Sequence, residues 1–424
     1  MPVPIASPDS CRSLRQSLVA RGRDQLHHVW SARVLIALIV TCMALLAVRV
    51  DFRTTDSAAF AAPGWDRHLY LAMSDGNPFA FHLAPYCWRV LVPSLVAVSP
   101  LTGQVTMLVL TVASLATTAV ALYLLVLRWT RPGSALVAVV LFFSMGWGAK
   151  YLMSDFWLPD ALVFAIVTVA ILLAAQGRLL PFAIVLAVGA ATKESCLAVA
   201  PLFYTLNAKR PLDGAAALRT MAAVLPAVAV IFGLRIGIEA WNGDLAYVRS
   251  LPPAISRVPE LFPHYSYLDL LHDVGKEQRL RYLGVDTFHE YTWRTFGVIP
   301  LLLALVSLRS SWRWALRFAP FVVLVYAQTL FATDTERLLV LAFPAILILA
   351  AIGLEDVLTA TAATPRVAWA IAGLSFAPNL VDTGVYAPAG IAQISAALAG
   401  VVAFAVATVL AKTPMPVQED RSLP

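Results

Sequence analysis

The sequence predicts an all-α, polytopic integral membrane protein. Three observations predict it: a strongly apolar composition, about ten separate apolar runs of helical length, and basic residues gathered in the turns between those runs. Of the 424 residues, 60% are hydrophobic and 13% charged, a balance foreign to soluble domains, so the main solvent is lipid. The length accommodates about ten spans of ~20 residues plus one substantial extramembrane segment, without a second domain. Cys11, Cys42, Cys87 and Cys196 stand in no paired metal-ligand or redox spacing. The pI of 9.2 does not call for nucleic acid, because the Arg and Lys residues sit mostly in short turns, where the positive-inside effect accounts for them.

Residues 1–32 are polar and carry Arg12, Arg15, Arg21 and Arg23; we read them as a cytoplasmic N-terminal segment. The apolar run from Arg33 to Val48 lacks a small-residue cleavage site and reads as a retained first span. Further runs lie near 104–127, 134–149, 158–175, 216–237, 295–308, 314–332, 338–354, 367–381 and 389–411. With them the transmembrane domain extends over 33–411, and the Pro-rich tail 412–424 is cytoplasmic. The stretch 179–206 differs from the others, since Thr192-Lys193-Glu194-Ser195 interrupts its middle. A single span would bury both charges in hydrocarbon, so the sequence predicts a broken or re-entrant hairpin.

Charge placement is consistent with that hairpin. With it, Arg128/Arg131, Arg178, Lys209/Arg210/Arg219, Arg309/Arg313/Arg317, Arg366 and Lys412 share one side with the N-terminus, the cytoplasm by the positive-inside rule. The opposite side receives the outer loop 50–103, the turns 150–157 and 333–337, the loop 238–293 and the turn near Asp382. Most of the 25 acidic residues lie there, which directs attention to extracytoplasmic chemistry. No inverted repeat of the kind many transporters carry is visible.

Four outer-face clusters hold the candidate residues. In the first loop, Trp65-Asp66-Arg67-His68-Leu69-Tyr70 has the spacing of a short interfacial helix, and Trp65, Tyr70, Phe79, Phe81, Tyr86 and Trp88 supply an aromatic belt. Arg89 opens the next apolar stretch, placed either to anchor it or to meet a lipid phosphate. Asp155 precedes Pro159-Asp160, with Pro159 suited to a first helical turn and Asp160 entering a span where an acid needs a partner. Lys193-Glu194 lies deep in the hairpin, able to pair internally or with Asp160. Thr333-Asp334-Thr335-Glu336-Arg337 is wedged between two apolar runs, and a capped helix start is the plain alternative there. In the loop 238–293, rich in aromatics, short helices are expected; His264, His272 and His289 are too widely spaced for a helical metal pair.

Taken together, Trp65 to Tyr70, Pro159-Asp160, Ala191-Thr192-Lys193-Glu194 and Asp334-x-Glu336-Arg337 resemble the GT-C class of membrane glycosyltransferases. That class includes protein O-mannosyltransferases and aminoarabinose transferases that use polyprenyl-phosphate sugars. The resemblance covers roughly residues 30–355. It implies transfer of a sugar from a lipid-linked phosphate to a glycan, lipid or protein acceptor at the outer interface, without a nucleotide-sugar domain. Such chemistry requires a base for the attacking hydroxyl, for which Asp66 is the candidate, and cations for the departing phosphate, for which Arg337, Lys193 and Arg89 are available. Asp155, Asp160, Glu194, Asp334 and Glu336 would then orient those cations or bind sugar hydroxyls, while Tyr70 and Trp65 would stack on sugar or lipid. Many relatives carry two acids together in the first loop, whereas Arg67 follows Asp66 here, so no metal and no other cofactor is expected. Partners are a polyprenyl-phosphate sugar, an acceptor and membrane lipid, with no nucleic acid, and a bacterial inner membrane suits the Ala- and Arg-rich bias. Two other classes remain open at this point. One is a secondary transporter or flippase using Asp160, Lys193 and Glu194; the other is a catalytically inactive relative acting as a scaffold.

Overall fold

The computed structural model describes residues 32–57, 60, 66–241, 244–256, 285–330 and 335–381. Trp65, Asp334, His264, His272, the last apolar run 389–411 and both polar termini lie outside the described residues. Among the described residues every regular element is helical. α1 (Ala32–Arg49) is followed by the short outer helices α2 (Asp66–Asp75) and α3 (Leu91–Ala97). α4 (Gly103–Val126) starts where the Thr102 hydroxyl accepts from the Val105 N–H, and α5 (Pro132–Ser144) starts on a proline that has no N–H to leave unsatisfied. α5 then bends by 53° into the segment Gly146–Ser154, whose last turn is α6 (Tyr151–Ser154). The run predicted at 134–149 is therefore a bent pair.

α7 (Asp160–Ala175) and α8 (Leu179–Thr192) are joined by a tight turn in which the Arg178 N–H donates to the Leu173 carbonyl. After Lys193 the chain makes a 3-10 segment, Glu194–Val199, and continues as α9 (Ala200–Asn207). α9 returns to the end of the bundle that α8 left, because the Asn207 amide donates to the Ala174 carbonyl at 2.9 Å. α10 (Gly214–Gly237) is capped by the Asp213 carboxylate, which accepts from the Ala216 N–H. α11 (Leu245–Ser250), α12 (Pro253–Ser256) and α13 (Val285–Phe296) are the helical parts of the loop predicted at 238–293.

α14 (Val298–Ala327) carries the two runs predicted at 295–308 and 314–332 in one element, broken at Ser311. A straight helix of that length would separate its ends by about 45 Å. Instead, the hydroxyls of Thr292, just before it, and Tyr326, near its end, lie 3.2 Å apart, so the element folds back on itself. α15 (Thr335–Leu339) leads through a 3-10 turn into α16 (Phe343–Ala360), followed by α17 (Pro365–Phe376) and α18 (Pro378–Val381).

Among the described residues, four helical stretches are long and apolar enough to cross a membrane: Ala32–Arg49, Gly103–Val126, Gly214–Gly237 and Glu336–Ala360; the bent pair at 132–154 makes up to five. The helices at 160–175, 179–192 and 366–376 are apolar but shorter. The chain is thus a helical protein of membrane type. Burial separates its inner helices from its outer ones. In the most apolar window of Glu336–Ala360, 89% of residues are covered by protein, whereas in Gly214–Gly237 only 17% are, and Leu218, Leu225, Phe232 and Ile236 of α10 point outward. At the centre, Phe142, Phe164 and Phe343 pack ring against ring, with centroids 5.0 to 6.5 Å apart.

α16 lies closest of all to the first half of α14, and small residues permit it. Lipid tails are as apolar as leucine, so helices in a bilayer associate through close packing, which small side chains favour. Gly353 backs onto the α14 backbone: a Cβ there would overlap the Leu303 carbonyl and lie 3.2 Å from the Ser307 nitrogen. Gly353→Ala is therefore expected to destabilise the fold by about 1–3 kcal/mol or more. Gly373→Ala, where nothing lies within 4 Å, is expected to be near neutral. Thermal unfolding of the two variants in detergent checks the difference.

Candidate functional site

Hydrogen bonds sort the helix ends into two sets. At one end, Arg128 donates to the Ala175 carbonyl, Arg219 to that of Gly177, Arg317 to that of Leu206, and the Arg131 N–H to the Glu355 carboxylate. At the other end converge the end of α1, α2, α3, the starts of α4 and α7, the end of α8, and α15.

This second end holds a network of three acids and three bases. It is organised around Asp160, in the first turn of α7, whose Oδ1 accepts from Lys193 Nζ at 2.6 Å and whose Oδ2 lies 3.0 Å from Arg337 Nη2. Arg337 extends from α15 to a second carboxylate, with its Nη1 2.7 Å from Asp66 Oδ2. Asp66 Oδ1 in turn accepts from the Tyr86 hydroxyl at 2.5 Å. Beside this chain, Arg89 donates from Nε and Nη2 to both oxygens of Glu194, at 3.2 and 2.8 Å, and from Nη1 to the Tyr70 hydroxyl. The Tyr70 and Tyr86 rings meet edge to face at 5.6 Å and join the two halves. The six formal charges sum to zero.

Local sequence explains how each group arrives there. Pro159 ends the preceding turn and starts α7, which puts Asp160 in its first turn, where the helix dipole favours an anion. Lys193 has extended backbone at φ −166°, so α8 stops before its cation reaches the next turn, and Lys193 and Glu194 diverge to different partners. Gly189 permits the reversal, since a Cβ there would stand 2.8 Å from Cys196 Cβ and 2.9 Å from Ile166 Cγ2. Asp66 opens α2, with Arg67 and Tyr70 on its buried side.

The network is not uniformly closed. The side chains of Asp160, Lys193 and Arg337 are 5–7% exposed, whereas Asp66 is 23% and Glu194 29% exposed. The two acids at the ends of the network are thus its accessible groups, and the cations and Asp160 form its floor. Burial opposes ionisation of Asp66, but the Arg337 guanidinium, the Tyr86 hydroxyl and the nearby charge of Arg89 outweigh it and hold the carboxyl below the usual carboxylate range. Burial, followed by the charge of Asp66, pushes the Tyr86 phenol well above its ordinary value, so it stays a proton donor to Asp66.

The structure therefore brings together Asp66, Tyr70, Arg89, Asp160, Lys193, Glu194 and Arg337 of the residues singled out in the sequence. Asp155 is not among them. Its Oδ2 lies 2.6 Å from Arg53 Nη1 and 3.2 Å from Arg67 Nη1, and its Oδ1 is buried with no hydrogen-bond partner among the described residues. Arg67, the neighbour of Asp66, thus turns away to Asp155, and this second cluster fastens the segment after α1 to α2. Glu336 is half-buried next to Arg337. Trp65 and Asp334 lie outside the described residues. Sequence reasoning treated Tyr86 only as part of an aromatic belt; its position after Pro85 gave no sign of a bond to Asp66. Arg53 and Arg67 were likewise not singled out, because partner choice across some hundred residues leaves no local pattern. Among the described residues no three His, Cys, Asp or Glu side chains are grouped as metal ligands would be.

A comparison with protein-family models and with curated proteins finds no match.

Two outcomes follow from the geometry. Asp160→Asn leaves Lys193 and Arg337 close together with one negative charge fewer, and breaking such a buried pair costs about 3–5 kcal/mol. Asp160→Asn combined with Lys193→Met is expected to recover part of that loss in thermal unfolding. The second concerns pH. The folded-state pKa of Asp66 is depressed, so its pairing stabilises the fold fully above the unfolded-state carboxylate pKa and loses that effect as pH falls through the folded value. The Tm difference between wild type and Asp66→Asn is expected to be constant near neutrality and to shrink below about pH 4.

Proposed function

We propose that the chain is a membrane glycosyltransferase of GT-C type that moves a sugar from a polyprenyl-phosphate donor to an acceptor on the extracytoplasmic face. One observation carries this reading: at one end of an apolar bundle, a base candidate and three cations share a single charge network whose outermost groups, Asp66 and Glu194, stay accessible. The arrangement of the chain that goes with it has about ten spans, a re-entrant hairpin over 179–206 and both termini in the cytoplasm of a bacterial inner membrane. The hydrogen bond from Asn207 back to Ala174 supports the hairpin, and the gathering of Arg128, Arg219 and Arg317 at the opposite end supports the orientation.

In this reading the acceptor hydroxyl gives its proton to Asp66 while its oxygen attacks the anomeric carbon. The bond from that carbon to the phosphate oxygen breaks, and the electron pair leaves with the polyprenyl phosphate. Asp66 is held ionised by Arg337 and Tyr86, which keeps it competent at neutral pH at some cost in basicity. Once it has taken the proton it is neutral, and its attraction for Arg337 falls. The guanidinium is then drawn toward the phosphate at the moment the phosphate needs a counter-charge. Lys193 and Arg89 add positive charge from the two sides, Asp160 keeps Lys193 and Arg337 in place, and Glu194 does the same for Arg89. Tyr70 lies between the two halves with its ring fully buried, so it positions Arg89 through its hydroxyl and, contrary to the expectation from the sequence, does not stack on sugar or lipid.

The transporter alternative draws on the buried Asp160–Lys193 pair. The experiment that separates the readings is sugar release from a labelled polyprenyl-phosphate sugar by the full chain in lipid, with Asp66→Asn beside the wild type. Loss of a positioned general base is expected to lower turnover by about 10²–10⁴-fold, with donor binding nearly unchanged. Release that survives Asp66→Asn at the wild-type rate would remove the base assignment. No release and no binding across a donor panel would remove the transferase reading itself.

A further inference from the structure

The end of the bundle remote from the charge network carries a feature that the transferase reading does not use. α4 is 24 residues long, about 36 Å, so the turn that follows it stands at headgroup depth if the helix spans. That turn contributes Arg128, Trp129 and Arg131, and the fold of α14 at Ser311 brings Trp314 against Trp129, with Trp312, Arg313 and Arg317 close by in sequence. The two turns meet through their indoles: Trp129 and Trp314 are 5.2 Å apart and nearly perpendicular. Arg317 Cζ lies 5.3 Å from the Trp314 ring centroid and Arg313 Cζ 5.7 Å from that of Trp312, each within cation–π range.

The balance of charge here is opposite to that of the network. Among the described residues, Arg128, Arg131, Arg313 and Arg317 make no ion pair with a carboxylate. Arg128 and Arg317 donate to the backbone carbonyls of Ala175 and Leu206. Glu355 accepts from the backbone N–H of Arg131, and Asp356 accepts from the Ser310 hydroxyl at 2.5 Å. Trp312 is 51% exposed, and Arg128, Arg131 and Arg313 are exposed as well. Scattered arginines that only anchor helix ends do not require two turns to be locked together by tryptophans with guanidinium groups on both sides.

We propose that this notch between the α4–α5 turn and the α14 fold binds the headgroup phosphate of an anionic phospholipid. Its charge complements a phosphodiester: it has four arginines, none in an ion pair among the described residues, against the two carboxylates of Glu355 and Asp356. The tryptophans suit the boundary between headgroups and acyl chains, and the exposed guanidinium groups of Arg128, Arg131 and Arg313 can donate to phosphate oxygens. The site binds structural lipid and is separate from the donor site at the opposite end.

The test uses the full chain in detergent, with native mass spectrometry after incubation with phosphatidylglycerol, phosphatidylcholine or inorganic phosphate. Wild type is expected to retain phosphatidylglycerol and to discriminate against phosphatidylcholine. Arg128→Gln/Arg313→Gln is expected to lower that retention on the order of tenfold for two arginines. Lys209→Gln/Arg210→Gln, an equal loss of charge on the neighbouring 208–213 turn, is expected to retain lipid as wild type does. Equal retention by all three proteins would overturn the proposal, as would equal retention of the two lipids. Displacement of the lipid by millimolar inorganic phosphate would reassign the notch to a small anion. Arg313→Lys, which keeps the charge but not the planar guanidinium, guards against misfolding of the double variant and is expected to fall between the two.

Discussion

Charge pairing at the end of an apolar bundle is the constraint on which the rest of this structure depends. An ionised group withdrawn from water costs several kcal/mol unless a partner and further hydrogen bonds compensate it. Asp160 enters α7 with its side chain 5% exposed and therefore requires cations; it has two, Lys193 and Arg337, from segments 33 and 177 residues away. Once these are in place, much of the architecture is determined. α8 must stop at Lys193, α15 must approach α7, and α2 must bring Asp66 to the other end of the Arg337 guanidinium.

The broken segment between α8 and α9 follows from the same constraint. An uninterrupted helix would direct Lys193 and Glu194 to adjacent faces, separated by only 100° of rotation, and drive at least one into hydrocarbon. With extended backbone at Lys193, one side chain turns to Asp160 and the next to Arg89. The chain then returns to its starting end, where Asn207 meets Ala174. A single residue with extended backbone thus satisfies two charges, and the chain resumes helical turns directly after it.

The two ends of the bundle apply opposite solutions to surplus charge. Where acids and bases converge, they neutralise one another and become buried. Where basic residues predominate, they stay at the surface, bonded to backbone carbonyls or within cation–π range of tryptophan. The first arrangement gives a fixed electrostatic floor with two accessible carboxylates, a setting in which a proton gained or lost by Asp66 changes the pull on Arg337. The second gives a rim in which exposed arginines outnumber the carboxylates of Glu355 and Asp356, and which we propose is complemented by lipid phosphate.

Helical class, apolar character and the break near Lys193 were legible in the sequence because they are set by local composition: a run of apolar residues forms a helix in lipid whatever surrounds it. The candidate acids and bases were legible too, since an ionisable residue such as Asp160 at the edge of an apolar run stands out without any partner being known. Partner choice was not legible. Asp155 and Asp160 are five residues apart and look equivalent in the chain, yet one pairs with Arg53 and Arg67 and the other with Lys193 and Arg337. Tyr86 looked like one more interfacial aromatic until the fold placed its hydroxyl on Asp66. The reversal at Ser311 falls between the runs 295–308 and 314–332, as the sequence reading has it, whereas the bend of α5 into α6 had no unambiguous local mark. By itself, then, the sequence determined which segments are helical, which of them prefer lipid, and which residues carry unusual charge, all properties of short windows of chain. Only the tertiary structure decided which charges meet, because ion pairing depends on distances of a few ångströms between segments tens to hundreds of residues apart, and these are set by packing of the whole bundle.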